Sequence, residues 1–491
     1  MKVLIITEGG KNIGFGHLTR CISLYRAFEE RGILPEFIVN GDESVEDLLK
    51  DRNCQIFNWI EERSKIFELI KGTDAAIVDS YLTDISFYKN LSIIVKIPVY
   101  IDDNKRLDYP RGIIVNGSIY AEELDYPNRD GIAYRLGTKY IPLRKEFWEV
   151  REKKIKEKVE SVMITFGGND MRNITPKILR LLRENYPNLK KSVIIGKAFQ
   201  NINEIEREID KNVNLIYYPD AEKMKEIMLE SDIAISASGQ TLYELARVGV
   251  PIIGVCIAEN QLENVKRWER AGFLEYAGWH KESDLIKKIE NSIRHLKDRN
   301  VRKSASKKGR RIVDGKGSLR VVKSILFNWF RNKLSLRKAT FEDALDIFNL
   351  SNDDIVRKNS FSSEKTEWKH HLKWLKEKLE DKNCVFLIVV DNLNKFYGEI
   401  RFDINPKNKE AIINISLEKS TRGLGLSSLI INKSIGELLR VKSIRLIKAY
   451  IKEENIPSIK AFEKANFRFL EDLTIKGSKA KLYTREIKYG I

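Results

Sequence analysis

At 491 residues the chain is too long for one ordinary core, and roughly 100–200 residues per domain implies about three modules. With 42% hydrophobic and 32% charged residues it is globular, and the lack of any run of about 18 apolar residues excludes a transmembrane helix. The formal charge of +17 is local: residues 297–338 hold fifteen Lys/Arg against two Asp, so the rest is nearly balanced. A single basic run reads as a solvated helix face first, or as a hinge or an attractor of anionic substrates. No aromatic-plus-basic module accompanies it, so nucleic acid is not the expected partner. Cys21, Cys54, Cys256 and Cys384 are scattered without a CxxC pair, which indicates neither zinc nor a disulfide framework and fits a reducing cytoplasm. The opening MKVLIIT turns polar too soon for a signal peptide and reads as a strand.

Residues 1–330 alternate strand and helix. Strands are expected at 3–7, 75–78, 99–102 and 113–116, then at 161–166, 192–196, 213–218, 233–237 and 251–256, with amphipathic helices such as 18–30 and 221–230 between them. Continuous apolar strands separated by helices imply parallel sheets covered on both faces. The charged stretch 151–160 separates the two series, giving two Rossmann-like domains, 1–145 and 146–330, with a cleft at their strand ends. From 334 to 491 the pattern changes. A strand at 335–338 precedes helices near 341–349 and 367–379. Strands follow at 384–391, 396–404 and 411–418, then a helix at 425–439, a strand at 443–451, a helix at 457–465 and two strand-like runs. Successive strands with few helices between them define a separate α+β domain.

The first chemical stretch is IGFGHLTR, residues 13–20. Leu18, Cys21, Ile22, Tyr25 and Phe28 recur at helical spacing, which puts His17 in the first helical turn beyond the first strand. Gly14 and Gly16 remove side-chain bulk and let a ligand approach the backbone. A helix N-terminus disfavours imidazolium, so the expectation is a neutral, basic His17 beside a bound anion. A helix-capping or core histidine fits the same short motif. In the second domain Ser238, Gly239, Gln240 and Thr241 form a strand-to-helix turn of small residues suited to a pyrophosphate, and Glu244 stands one turn further, placed to accept from ribose hydroxyls. FGGND, with Gly168 and Asn169, gives another glycine turn facing the cleft.

These stretches, with VDSYLTD, YIDDN, PLRKEFW, SASGQTLYELA and AENQLENVKRW, cover residues 1–330 almost end to end. Together they resemble the nucleotide-sugar hydrolases of pseudaminic acid biosynthesis, which remove UDP from a 2,4-diacetamido-2,4,6-trideoxy-altrose. The resemblance implies a GT-B fold, metal-free water attack at the anomeric carbon, and His17 as general base. It places Tyr81 and Asn260 near the reacting sugar, the Ser238–Thr241 turn and Glu244 at the uridine diphosphate, and Arg144 of PLRKEFW among the substrate-binding residues.

The C-terminal module holds SLEKSTRGLGLSSLII, in which a strand, a glycine turn and a helix follow one another. It resembles the pyrophosphate turn of GNAT acetyltransferases, with Arg422, Gly423, Leu424 and Gly425 in the motif and Ser427 at its last small position. Asn455, in ENIPSIKAFEKANF, matches the cofactor-contacting asparagine. Phe462 replaces the frequent tyrosine acid and cannot donate a proton; Tyr450 is a substitute candidate. Asn466 replaces a glycine. NDDIVRKNSF and EWKHHLKWL resemble acetyltransferases acting on the 4-amino group of nucleotide-linked sugars. His370 and His371 read as surface or packing residues, and Trp368 and Trp374 as core or sugar-facing.

The resulting expectation is a bifunctional enzyme taking acetyl-CoA and a UDP-4-amino-4,6-dideoxy sugar, then hydrolysing the diacetamido product. No metal, nucleic acid or membrane is expected, and the location is cytoplasmic. A GT-B glycosyltransferase fused to an amine acetyltransferase, and a catalytically idle binding protein, are the alternatives. The sugar's stereochemistry and the oligomeric state are not written in these motifs.

Overall fold

A computed structural model describes residues 1–11 and 13–487, with the Asn260 side chain outside that description. The chain divides into two compact units, residues 1–325 and 326–491, the division falling inside the helix Gly317–Lys333.

The first unit holds two sheets. One contains β1 (Val3–Gly9), β2 (Glu36–Gly41), β3 (Cys54–Ile56), β4 (Ala75–Asp79), β5 (Ile97–Ile101), β6 (Gly112–Asn116) and β7 (Ile132–Leu136) in the order β3-β2-β1-β4-β5-β6-β7. The other contains β8 (Ser161–Thr165), β9 (Lys190–Ile195), β10 (Val213–Tyr217), β11 (Ile233–Ala237), β12 (Ile252–Cys256) and β13 (Leu274–Trp279) in the order β10-β9-β8-β11-β12-β13. Every pairing in both sheets is parallel. The central strands β1, β4, β5, β11 and β12 are buried along their whole length, because helices cover both faces. In the second sheet Val162, Ile164, Ile233 and Ile235 pack into one core, while Met163 and Ala234 pack into another on the opposite face. Strand order reverses between β1 and β4, and again between β8 and β11. Those two switch points are where open α/β sheets receive ligands.

Most of the basic run is exposed, as a solvated face predicts, but two of its arginines serve the fold. Arg302 is fully buried in the helix Arg299–Ile312 and donates to the carbonyls of Leu296 (2.8 Å), Lys156 (3.0 Å) and Glu157 (2.9 Å). Arg310 donates to the carbonyls of Val150 and Val248, at 3.1 and 3.2 Å. Guanidinium groups suit this role because several fixed donors can satisfy several buried carbonyls at once. The chain then returns to the first sheet's domain: Arg135 reaches Ser324 at 2.8 Å, and Gly317 lies against the Ile141 backbone. Any Cβ at Gly317 meets the Ile141 carbonyl, which cannot swing away as a side chain would. Alanine is the better helix former by about 1 kcal/mol. Overpacking against backbone costs roughly 1–3 kcal/mol and prevails. Gly317→Ala is therefore expected to lower the urea midpoint of unfolding; an unchanged or raised midpoint contradicts this close packing.

The second unit is one sheet of β14 (Ser335–Lys338), β15 (Cys384–Val390), β16 (Phe396–Asn405), β17 (Glu410–Leu417), β18 (Leu446–Lys452), β19 (Arg468–Ile475) and β20 (Ser478–Glu486), ordered β14-β15-β16-β17-β18-β20-β19. All neighbours are antiparallel except β17 and β18, which pair in parallel only from Glu410 to Ile412. Beyond Ile412 the ladder between β17 and β18 stops, although β17 runs on to Leu417. The helices Ala344–Ser351 and Trp368–Glu380 bury Ile347, Leu350 and Leu375 against Phe386, Ile388 and Val390 of β15. A short helix, Asp354–Asn359, falls in NDDIVRKNSF, where no helix was expected.

Candidate functional site

A cleft of about 430 Å³ lies between the strand ends of the two parallel sheets. His17, Tyr81 and Asp103 line it from the first sheet, and Ser238, Gly239 and Gln240 from the second. His17 occupies the first turn of the helix Gly16–Glu29, beyond β1. Gly14 has φ of 88°, in the left-handed region that favours glycine, and no atom of the described residues crowds the space beside Gly14 or Gly16.

Asp79 organises the first half of the site. β1 and β4 pair so that Thr7 stands beside Asp79, bringing the carboxylate to the switch point. His17 Nδ1 lies 2.7 Å from Asp79 Oδ1. Arg20, one helical turn after His17, donates through Nε and Nη2 to the same carboxylate at 2.8 and 2.7 Å. Its Nη1 reaches Asp103 at 2.6 Å, and the Tyr81 hydroxyl donates to the other Asp103 oxygen. The Tyr81 and His17 rings meet edge to face at 4.6 Å. Glu8 accepts from the Tyr81 backbone N–H at 2.8 Å and from the Ser80 hydroxyl, fixing the loop that carries Tyr81. Asp79 thus holds His17 in the Nδ1–H tautomer and leaves Nε2 as the basic nitrogen.

The charge balance corrects the expectation drawn from the helix N-terminus. Burial pushes the His17 pKa down, but Asp79, through its charge and its hydrogen bond, more than reverses this, and the pKa stands above the usual imidazole value. Burial likewise opposes the charged form of Asp79, yet Arg20 and His17 hold its carboxyl well below the usual carboxylate range. Burial and the Asp103 carboxylate raise the Tyr81 phenol, so Tyr81 stays protonated as a donor.

Across the cleft, the turn after β11 opens the helix Thr241–Val248. The Ser238 hydroxyl is enclosed without a hydrogen-bond partner among the described residues. Asn264 donates to the Ser238 carbonyl at 3.1 Å and accepts from the Tyr243 hydroxyl at 2.9 Å, and Gln240 donates to the Pro142 carbonyl at 3.0 Å. These bonds pin a helix N-terminus whose first amides lack intrahelical acceptors. Glu244 is buried, and both its oxygens are held by Arg144 at 2.7 Å. Arg144, Glu244, Thr241, Gly168 and Asn169 stand outside the cleft lining. The backbone of Asn260 belongs to the 3₁₀ turn Glu259–Gln261; its side chain lies outside the described residues. Sequence reasoning missed Arg20, Asp79, Asp103 and Asn264. All four sit inside quoted motifs, and a charged residue closing an apolar strand run such as AAIVD was the available signal.

In the second unit Gly423 and Gly425 adopt φ of 75° and 89°, and nothing lies near the Cβ position of Gly425. Leu424 is buried, and Ser427 begins the helix Ser427–Val441. Arg422 donates from Nε to the Leu417 carbonyl at 2.6 Å and pairs through Nη1 with Asp353 at 2.9 Å. The Asn455 carboxamide oxygen caps the helix Ile456–Lys464, accepting from the Ser458 N–H at 3.2 Å. Phe462 is buried edge to face against Phe467. His371 is buried with Nε2 2.9 Å from the Ala344 carbonyl, while His370 is exposed. The cysteines are free thiols, and among the described residues no His/Cys/Asp/Glu cluster suits a metal ion and no helix is long and apolar enough to cross a membrane.

Residues 162–316 match the glycosyltransferase family 28 C-terminal domain, and residues 333–468 match the acetyltransferase (GNAT) domain. The chain therefore joins Rossmann-like domains of GT-B type to a GNAT acetyltransferase domain. It is 24% identical to an uncharacterized protein of Methanocaldococcus jannaschii across 95% of this chain and 97% of that protein. It is 25% identical to the spore coat polysaccharide biosynthesis protein SpsG of Bacillus subtilis, over 65% of this chain and 96% of that one. It is 24% identical to the UDP-2,4-diacetamido-2,4,6-trideoxy-beta-L-altropyranose hydrolase of Campylobacter jejuni, over 55% of this chain and 96% of that enzyme. The resemblance read from the motifs is borne out by these relatives and by the positions of the two domain matches.

Proposed function

We propose that the chain is a bifunctional nucleotide-sugar enzyme. Its hydrolase half comprises an N-terminal domain, 1–145, bearing His17, Tyr81 and Arg144, and a UDP-binding domain, 146–330, bearing the Ser238–Thr241 turn and Glu244. Its acetyltransferase half, 334–491, uses acetyl-CoA held by the turn Arg422, Gly423, Leu424, Gly425 and Ser427, with Asn455 beside it. The observation that carries the reading is the His17–Asp79 pair facing the Ser238–Gln240 turn across one cleft. His17 Nε2 takes a proton from water as the oxygen attacks the anomeric carbon. The C–O bond to the β-phosphate breaks, and UDP departs toward the helix N-terminus. The substrate is a UDP-2,4-diacetamido-2,4,6-trideoxy sugar, and acetylation of a UDP-4-amino-4,6-dideoxy sugar supplies it.

The glycosyltransferase family 28 match favours one other reading, sugar transfer to an acceptor hydroxyl. Supplying the UDP-diacetamido sugar with no acceptor separates the two. Release of UDP and free sugar in water alone is the expected outcome. Release that requires an added acceptor overturns the hydrolase reading.

A further inference from the structure

The acetyltransferase half lacks a proton donor at Phe462, and its proton acceptor for the incoming amine is equally unassigned by motif. Glu399 of β16 is the carboxylate that the sheet register brings level with the end of β17. The register sets Glu399 opposite Ile388 of β15 and Ser416 of β17, and directly opposed residues share a sheet face. Ile388 packs with the helices Ala344–Ser351 and Trp368–Glu380, so Glu399 is on the face those helices cover. Ser416 precedes Leu417, the last residue of β17, from which the chain enters the glycine turn. Glu399 is thus level with the far end of β17, past the point where pairing with β18 has stopped. Its Oε2 is enclosed and has no hydrogen-bond partner among the described residues, while the residue as a whole remains partly accessible. A buried carboxylate oxygen left unpaired is costly unless something else uses it.

We propose that Glu399 is the general base of the acetyl transfer, accepting a proton from an acceptor ammonium that lies on the helix-covered face at the far end of β17. The inference rests on the acetyltransferase reading above. The ammonium gives one proton to Glu399, and its nitrogen lone pair forms a bond to the thioester carbonyl carbon. The C–S bond breaks with its electron pair on sulfur, and the thiolate takes the second nitrogen-bound proton. Glu399 then returns its proton to water, so no acid at position 462 is required. Burial supports the role by lifting the Glu399 carboxyl to about 7, against the opposing pull of Arg401 on its own strand and Arg357 from the helix Asp354–Asn359. Its neighbours across the ladders, Ile388 and Ser416, do not titrate. A base with a pKa near the working pH transfers protons most effectively.

The test uses the full chain with acetyl-CoA and a UDP-4-amino-4,6-dideoxy sugar, reading freed CoA as thiol. Glu399→Gln keeps size and shape. It is expected to lower kcat about 10²-fold, leave CoA binding by calorimetry unchanged, and abolish the acidic limb of the pH profile. Glu399→Asp is expected to recover part of the rate with the limb restored. A Gln variant with CoA bound normally, kcat within threefold of wild type and the limb intact overturns the assignment of Glu399 alone. A wild-type chain that neither binds CoA nor frees it overturns the acetyltransferase reading and the assignment with it.

Discussion

Replacing His17 by alanine is expected to lower UDP release from the UDP-diacetamido sugar by about 10²–10⁴-fold, the usual worth of a positioned general base, while UDP binds with near wild-type affinity. The two effects separate because they belong to different sheets. The imidazole stands beyond β1, whereas the proposed pyrophosphate turn follows β11 and is pinned by Asn264 and Gln240 through bonds to Ser238 and Pro142. Removing the ring also removes its edge contact with Tyr81, but Tyr81 keeps its hydrogen bond to Asp103 and its loop keeps Glu8. The cleft wall therefore survives the substitution. Steady-state UDP release and UDP titration calorimetry on the same preparation check the result. Turnover within threefold of wild type removes His17 from the role of base, and loss of UDP binding alongside turnover shows a site that collapsed instead.

How far the sequence discloses this site depends on how local each signal is. β1, β4, β8, β11 and β12 were legible because a strand buried on both faces is a continuous apolar run. β2, β3, β7 and β13 were not. β2 carries Glu36 and Asn40, β3 has three residues, β7 is an edge strand of half-buried residues, and β13 mixes Glu275 with two aromatics. His17 was legible because glycines and a helix start lie within three residues of it. Its partner was not, since Asp79 is 62 residues away and meets it only through the β1–β4 pairing. Arg20 shows the same limit. An arginine one turn after His17 reads as a helix surface residue, yet it is buried because two aspartates from separate strand ends converge on it. The helix-dipole argument for a neutral His17 failed for the same reason. The dipole is a partial charge shared over a turn, whereas Asp79 is a full charge at hydrogen-bond distance. The exposed face of the basic run was legible, but the buried Arg302 was not, because composition does not say which carbonyls a folded chain leaves to be satisfied.

Asp79→Asn is expected to impair both stability and catalysis. Asp79 is buried, and its folded pKa lies below its unfolded value. Its charge therefore stabilises the fold above about pH 4. That contribution is lost only as the pH falls through the folded pKa. Breaking a buried pair by removing one partner costs roughly 3–5 kcal/mol. Arg20 keeps Asp103, which places the expected loss toward the lower end of that range, read as a shift in the urea midpoint at pH 7. The gap between variant and wild type should narrow under acid, where the wild type loses the same charge. The sign for His17 is opposite. Its raised pKa contributes stability below about pH 6.5, lost as the pH rises through the folded value. In catalysis the base must be neutral, so the acidic limb of kcat/KM for the wild type lies above the ordinary imidazole pKa. Without the carboxylate, burial and the Arg20 charge both press that pKa down, and the limb moves to lower pH. The rate nevertheless falls. An asparagine N–H directed at Nδ1 forces the proton onto Nε2, the nitrogen that must accept one from water. A limb that stays in place, with kcat preserved, shows that Asp79 supports Arg20 and the fold without setting the state of the base.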